Sequence, residues 1–295
     1  MNQDARVGQL EASRMPSRGY LLCCLERTGS SLLAEALAGT GIAGRPLEYF
    51  NPVEQDQPWM RDIYGASGQV DKLVQVLIAG STANGIFGAK VHWPHLRYLG
   101  MQIRGEWSEA KRTKMYELLR STTPGLIPPE AAASLLRAHF SDLRPQGAAY
   151  ALLRSHLPDL RFIWLKRRNL VARAISIYRA RLTNVWSRRA DEPGPAPAEQ
   201  TPEFDLTEIH NLYCIGAFQD ETWQQFFEQH EISPLPVFYE ELVARYESTV
   251  GRVLEFLQIE SAGAVVPNPT LAKQSDALSV EWEDRYRKSI AEADI

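Results

Sequence analysis

Apolar residues in this chain fall into two patterns, short unbroken runs and longer stretches at helical spacing. Gly19-Tyr20-Leu21-Leu22-Cys23-Cys24-Leu25 is apolar throughout and ends in charge at Glu26, the pattern of a strand buried on both faces of a parallel sheet. Beyond Gly29, two serines lead into Leu32-Leu33-Ala34-Glu35-Ala36-Leu37-Ala38, with Gly39 and Gly41 behind them; this predicts a capped helix from about Ser30. Ile86–Val91, Arg161–Lys166 and Pro236–Tyr239 repeat the short apolar run. Helices are predicted over Leu170 to about Val185 and over Glu240–Leu257. Leu206, Ile209, Leu212, Tyr213, Trp223, Phe226 and Phe227 share helical spacing and read as a core-facing helix. Strands that alternate with helices require crossover connections, so the expected architecture is α/β, a central, mainly parallel sheet flanked by helices.

Residues 1–18 lack periodicity and read as a flexible N-terminal arm. Residues 191–202 form a proline-rich polar stretch, too poor in apolar side chains to pack. Because the strand-helix pattern resumes beyond it, a mobile loop over one domain spanning 19–295 is expected rather than a boundary. Of the 295 residues, 44% are hydrophobic and 23% charged, enough for a substantial core. The net charge of −4 argues against nucleic-acid binding, which neutralises many phosphates, but not against a nucleotide pocket. Cys23, Cys24 and Cys214 give neither a disulfide framework nor metal-type spacing. No run reaches the ~20 apolar residues of a membrane span, and residues 1–17 lack a hydrophobic signal region; a reducing cytoplasm is the expected location.

Three segments carry candidate chemistry. In Leu25-Glu26-Arg27-Thr28-Gly29-Ser30-Ser31-Leu32 a strand turns through a short loop into a helix, where unpaired backbone N–H groups meet the positive end of the helix dipole and bind anions. Gly29 allows close backbone approach, Thr28, Ser30 and Ser31 add hydroxyls, and Arg27 adds a planar fork of donors. The nucleotide-hydrolase signature Gly-x-x-x-x-Gly-Lys-Ser/Thr does not occur, which lowers the case for a kinase or ATPase. The second segment, Leu165-Lys166-Arg167-Arg168-Asn169-Leu170 with Arg173 and Ser176 behind it, stacks cations at a strand's end, the edge where open parallel sheets bind ligands. Arg179, Arg181, Arg188 and Arg189 read as a solvated face. In the third, Gly44-Arg45-Pro46-Leu47-Glu48-Tyr49-Phe50, Glu48 follows the anion-binding turn closely enough to accept a proton from an attacking hydroxyl; a surface glutamate is the plain alternative.

In order and spacing these residues resemble the bacterial sulfotransferase family typified by mycobacterial trehalose 2-sulfotransferase. The resemblance runs in patches from Tyr20 to about Arg287. It includes Glu26-Arg27-Thr28-Gly29-Ser30-Ser31-Leu32-Leu33, Thr40 to Phe50, Asn84 to Trp93, Arg167 to Trp186, Lys273-Gln274 and Glu281-Trp282-Glu283-Asp284-Arg285-Tyr286-Arg287. It implies the P-loop-like sulfotransferase fold and transfer of a sulfuryl group from 3′-phosphoadenosine 5′-phosphosulfate (PAPS), with adenosine 3′,5′-bisphosphate as product and no metal. It further implies that Arg27, Thr28, Gly29, Ser30 and Ser31 hold the 5′-phosphosulfate. Arg167 and Ser176 would hold the 3′-phosphate, with Arg168 and Arg173 as alternates, and Lys273 and Gln274 would line the donor site. Glu48 falls on the family's proposed base, with Arg27 as the catalytic cation. Glu26, Arg45, Lys90, His92 and Trp93 fall on the acceptor side; for His92 a packed structural role is an equal alternative. The implied partners are a sugar or glycolipid and a second copy of the chain in a homodimer. Arg45 stands where the trehalose enzyme has an acidic residue, which points to an anionic or differently shaped sugar. An atypical nucleotide-dependent kinase and an inactive nucleotide-binding protein of the same fold are the alternatives.

Overall fold

The computed structural model describes residues 15–52, 69–120, 125–140, 142–192, 202–260, 263, 265–272, 274–293 and 295. Residues 1–14 of the expected arm, 193–201 of the proline-rich stretch, and Lys273 lie outside the described residues.

Among the described residues four strands make one sheet: β1 (Arg18–Cys24), β2 (Ile86–His92), β3 (Asp159–Lys166) and β4 (Leu235–Phe238). Their spatial order is β2-β1-β3-β4, and every pairing is parallel, so the fold is α/β as the alternation of runs implies. Parallel pairing brings all four C-terminal ends to one edge. The chain passes from β1 to β2 on one side and later to β3 on the other, making the end of β1 the switch point where ligand crevices form in such sheets.

The apolar run of β1 is fully buried because it feeds two cores. Leu21, Cys23 and Leu25 face one, built with Phe87, Val91, Phe162 and Trp223. Tyr20, Leu22 and Cys24 face the other, with Leu33, Leu37, Val237, Val250 and Val253. This period-two division of a continuous apolar run is what burial on both faces demands. A third cluster packs α7 (Leu170–Thr183) and α8 (Leu206–Gln229) against the C-terminal helix α11 (Ala277–Ala293) through Val171, Ile175, Ile209, Leu212, Trp282 and Tyr286. The remaining helices are α1 (Ser30–Gly39), α2 (Gln69–Ala79), α3 (Trp93–Ile103), α4 (Glu109–Arg120), α5 (Pro129–Phe140), α6 (Arg144–His156), α9 (Tyr239–Ala244) and α10 (Tyr246–Phe256). None is long and apolar enough to cross a membrane.

The expected helix Glu240–Leu257 is in fact two, broken at Arg245, whose φ of −139° and ψ of 57° leave the helical region. The Thr249 hydroxyl reaches the Glu241 carbonyl across the break. Leu242, Val250, Val253 and Leu254 are buried on both sides of it, so apolar spacing gave no sign of the interruption.

One irregular segment matters for the site. Residues 43–48 run beside β2, held by Tyr20 Oη donating to the Ala43 carbonyl (2.7 Å), Gly44 N to Thr82 Oγ1 (3.1 Å), Arg45 N to the Gly80 carbonyl (2.8 Å) and Lys90 N to the Leu47 carbonyl (2.9 Å). Gly44 has φ +73°, and a Cβ there would come within 2.6 Å of the Gly88 backbone nitrogen, so the approach requires glycine.

Candidate active site

The turn after β1 departs from ordinary backbone geometry at two residues. Arg27 has φ +64° and Gly29 φ +82°; the first is costly for a residue with a Cβ and is kept only when the surroundings impose it. At Gly29 a Cβ would also lie 2.8 Å from Tyr239 Cδ2. Helix α1 starts behind this turn with no side-chain cap and no acidic residue in its first turn, so its N-terminal amides and dipole are left to an incoming anion. Thr28 is buried, and its hydroxyl donates to the Leu25 carbonyl at 2.7 Å. The expectation that this hydroxyl faces a ligand is corrected: its backbone amide is what Thr28 can offer.

Arg27 reaches from the turn across the crevice. Its Nε donates to Ser176 Oγ on α7 at 2.8 Å, one terminal nitrogen to the Trp186 carbonyl and the other to Gln274 Oε1. Arg27, Ser176 and Gln274, assigned by resemblance to different parts of the donor site, thus converge although they lie as far as 247 positions apart. Arg167, just past the end of β3, donates to the Arg27 carbonyl at 3.0 Å and stacks over Tyr239, 4.6 Å from the ring centroid. Its Nε is buried and meets no hydrogen-bond partner among the described residues. Burial lowers the Arg27 pKa, and the neighbouring Arg167 charge adds to that effect. Two close cations and an unsatisfied buried N–H are a receptive setting for an anionic group.

The other two arginines of this region are committed elsewhere. Arg168 pairs with Glu241 and lies over the Phe238 ring at 4.0 Å. Arg173 is buried beneath the turn, donating to the Glu26 carbonyl at 3.0 Å and approaching Glu26 Oε2 at 3.3 Å. Its expected part as an alternate phosphate ligand is corrected, since its fork is enclosed by protein. Arg179 is not simply solvated either; it pairs with Asp276.

Glu48 sits on the opposite wall. Its Oε1 lies 2.8 Å from Lys90 Nζ and 3.4 Å from His92 Nε2, and its Oε2 accepts from Asn51 Nδ2 at 2.8 Å. Lys90 Nζ also lies 3.3 Å from Ser31 Oγ at the start of α1. Burial pushes the Glu48 pKa up, but His92 and then Lys90 outweigh it and hold the carboxyl well below its usual range. Burial lowers the His92 pKa; Cys24, whose Sγ is 4.0 Å from the ring nitrogens, and Glu48 reverse this and raise it. Burial and then the His92 charge press His95 down to about 3. Register explains the grouping: Cys24 pairs with His92 and Leu22 with Lys90 across β1 and β2.

Of the remaining acceptor-side expectations, Arg45 is exposed and Glu26 half-open. Trp93 is corrected. It is fully buried in the core, edge-on to Phe140 at 5.4 Å and Phe218 at 6.3 Å, as an apolar ring at the first turn of α3 would be. Sequence reasoning missed Asn51, Tyr239 and the Trp186 carbonyl. Asn51 follows Glu48 by three residues without a recognisable motif, and a carbonyl's role leaves no mark on residue type.

A family model described as Stf0 sulphotransferase matches residues 19–107 and 130–289. Trehalose 2-sulfotransferase of Mycolicibacterium smegmatis (strain ATCC 700084 / mc(2)155) is 30% identical over 275 residues, covering 91% of this chain and 94% of that protein. Trehalose 2-sulfotransferase of Mycobacterium tuberculosis (strain ATCC 35801 / TMC 107 / Erdman) is 29% identical over 279 residues, covering 92% and 94% respectively.

Proposed function

The chain belongs to the Stf0 sulphotransferase family, and from that premise we propose that it moves a sulfuryl group from PAPS to a hydroxyl of a sugar or glycolipid. The observation that carries this reading is Lys90, whose ammonium lies 2.8 Å from the Glu48 carboxylate and 3.3 Å from Ser31 of the turn. One side chain therefore joins a proton acceptor to an anion seat, the two functions that in-line transfer to a hydroxyl requires.

The residues fit such a donor. The uncapped start of α1 suits the phosphosulfate, Arg27 reaches from that turn to Ser176, and the buried, unpartnered Nε of Arg167 with the Ser176 hydroxyl suits a second phosphate. When bound, PAPS supplies an activated sulfuryl group whose transfer spreads charge over peripheral oxygens. Arg27 and the amides of the turn stabilise negative charge on the bridging oxygen as the adenosine bisphosphate departs. Glu48 is ionised at neutral pH and takes the acceptor's proton. Its low basicity follows from His92 and Lys90. Negative charge seated beside Lys90 offsets that pull and raises the carboxylate's proton affinity when the donor is in place.

Glu48→Gln is expected to cut turnover ~10²–10⁴-fold while adenosine 3′,5′-bisphosphate still binds as in wild type. Labelled-sulfate transfer together with nucleotide titration measures both, and turnover near wild type would remove Glu48 from the role of base. Because both curated relatives are trehalose 2-sulfotransferases, trehalose heads the acceptor panel. The exposed Arg45, three residues before Glu48, favours an acidic sugar, and trehalose proving the best acceptor would overturn that preference. Three free, buried cysteines suit a cytoplasmic setting. A homodimer completes the reading, with light scattering as its check.

A further inference from the structure

Two arginines grip successive carbonyls of the turn. Arg173 Nε donates to the Glu26 carbonyl and Arg167 to the Arg27 carbonyl, both at 3.0 Å. In a trans peptide the carbonyl and the following N–H point in opposite directions, and the described residues contain no cis bond. Drawing the Glu26 carbonyl toward Arg173 therefore turns the Arg27 amide away from it, and Arg167 does the same for the Thr28 amide. Arg173 also donates to the Leu212 carbonyl (3.4 Å), so one guanidinium ties the turn to α8. The fold makes room for it at Gly216, where a Cβ would lie 2.0 Å from an Arg173 terminal nitrogen. Its charge is offset by Glu26 and Asp220. With only 1% of its side chain exposed, Arg173 has no surface left with which to touch a nucleotide.

We propose that Arg173 is a positioning residue of the donor turn: from beneath, it fixes the Glu26–Arg27 peptide so that the amides are aimed before the donor arrives, and it does not contact the donor. The inference rests on the PAPS reading above. It assigns an arginine from a cationic strand-end cluster to holding the backbone, leaving Arg167, Ser176 and Arg27 to meet anions.

The test compares adenosine 3′,5′-bisphosphate with adenosine 5′-phosphate, which lacks the 3′-phosphate, by calorimetric titration of wild type, Arg173→Lys and Gly216→Ala. Lysine keeps the charge but not the fork, and alanine at 216 displaces the fork without altering Arg173. Thermal melts identify variants that fold; should Arg173→Lys not fold, Gly216→Ala carries the comparison. Each variant is expected to bind both nucleotides about tenfold more weakly or worse, with the ratio of the two affinities kept as in wild type. The double variant is expected to lose little more than either single one, because both remove the same contact. A collapse of the ratio would make Arg173 a direct 3′-phosphate ligand, and wild-type affinity in both variants would deny it any part in the turn; either overturns the inference and spares the PAPS reading. Failure of wild type to bind either nucleotide overturns both.

Discussion

At the scale of single residues, the chemistry of the site is a matter of what surrounds one carboxylate. Glu48 is kept ionised by His92 and Lys90 against its own burial, and Lys90 in turn is held charged by Glu48 although burial alone would lower its pKa. Lys90→Met removes one of the two positive neighbours, so the Glu48 pKa rises. The acidic limb of kcat/KM against pH is expected to move to higher pH in that variant; a limb that stays put would assign it to another group. The linkage has a definite sign. A depressed carboxyl pKa contributes stability that is present above the unfolded value of about 4.3 and is lost as pH falls through the folded value. Wild type is therefore expected to lose more unfolding free energy on acidification than Glu48→Gln, as denaturant titrations across that range would measure.

At the scale of elements, one glycine sits in each of the two segments proposed to meet donor and acceptor. Gly29 sits at φ +82° against the Tyr239 ring, and Gly44 at φ +73° against the Gly88 backbone. Alanine at either position imposes strain of about 1–3 kcal/mol, but the functional losses differ. Gly29→Ala distorts the turn that leads into α1 and is expected to weaken nucleotide binding. Gly44→Ala displaces the segment that carries Glu48 along β2 and is expected to lower turnover with nucleotide affinity kept. Parallel measurement of affinity and kcat distinguishes the two, and an equal loss of both parameters in both variants would show that the walls are not independent. The break at Arg245 belongs to this scale as well. It leaves the short α9 starting at Tyr239, whose ring forms the neighbour of both Gly29 and Arg167.

At the scale of the whole molecule, the C-terminal helix links stability to the site. Trp282 is buried between α7 and α8, edge-on to Phe204 at 5.9 Å, and Tyr286 Oη lies 2.8 Å from His210 Nδ1. Just before this helix, Gln274 meets Arg27. Trp282→Ala is expected to cost about 3–5 kcal/mol of stability by denaturant unfolding, whereas Gln274→Ala is expected to weaken nucleotide binding with an unchanged midpoint; a midpoint shift in the latter would make Gln274 structural. What the sequence determined by itself was whatever is local or periodic. The unbroken apolar runs set the strands, their alternation with helices set a parallel sheet, and Glu26–Ser31 was legible as a turn from strand into helix because the three are contiguous. Glu48 and Ser176 were candidates by position alone and gained specific roles only through family resemblance, since a lone carboxylate or hydroxyl has no pattern. Only the tertiary structure separated similar cations of one stretch by their surroundings. Arg167 and Arg173 lie six positions apart on the same stretch of sequence, yet one keeps a buried, unpartnered N–H and the other is enclosed by Glu26, Leu212 and the space left by Gly216. The same holds for Trp93, adjacent to His92 in sequence but turned into the core, because successive residues leaving a strand end point to opposite sides. Charge and residue type are written in the chain; direction and enclosure come only from packing.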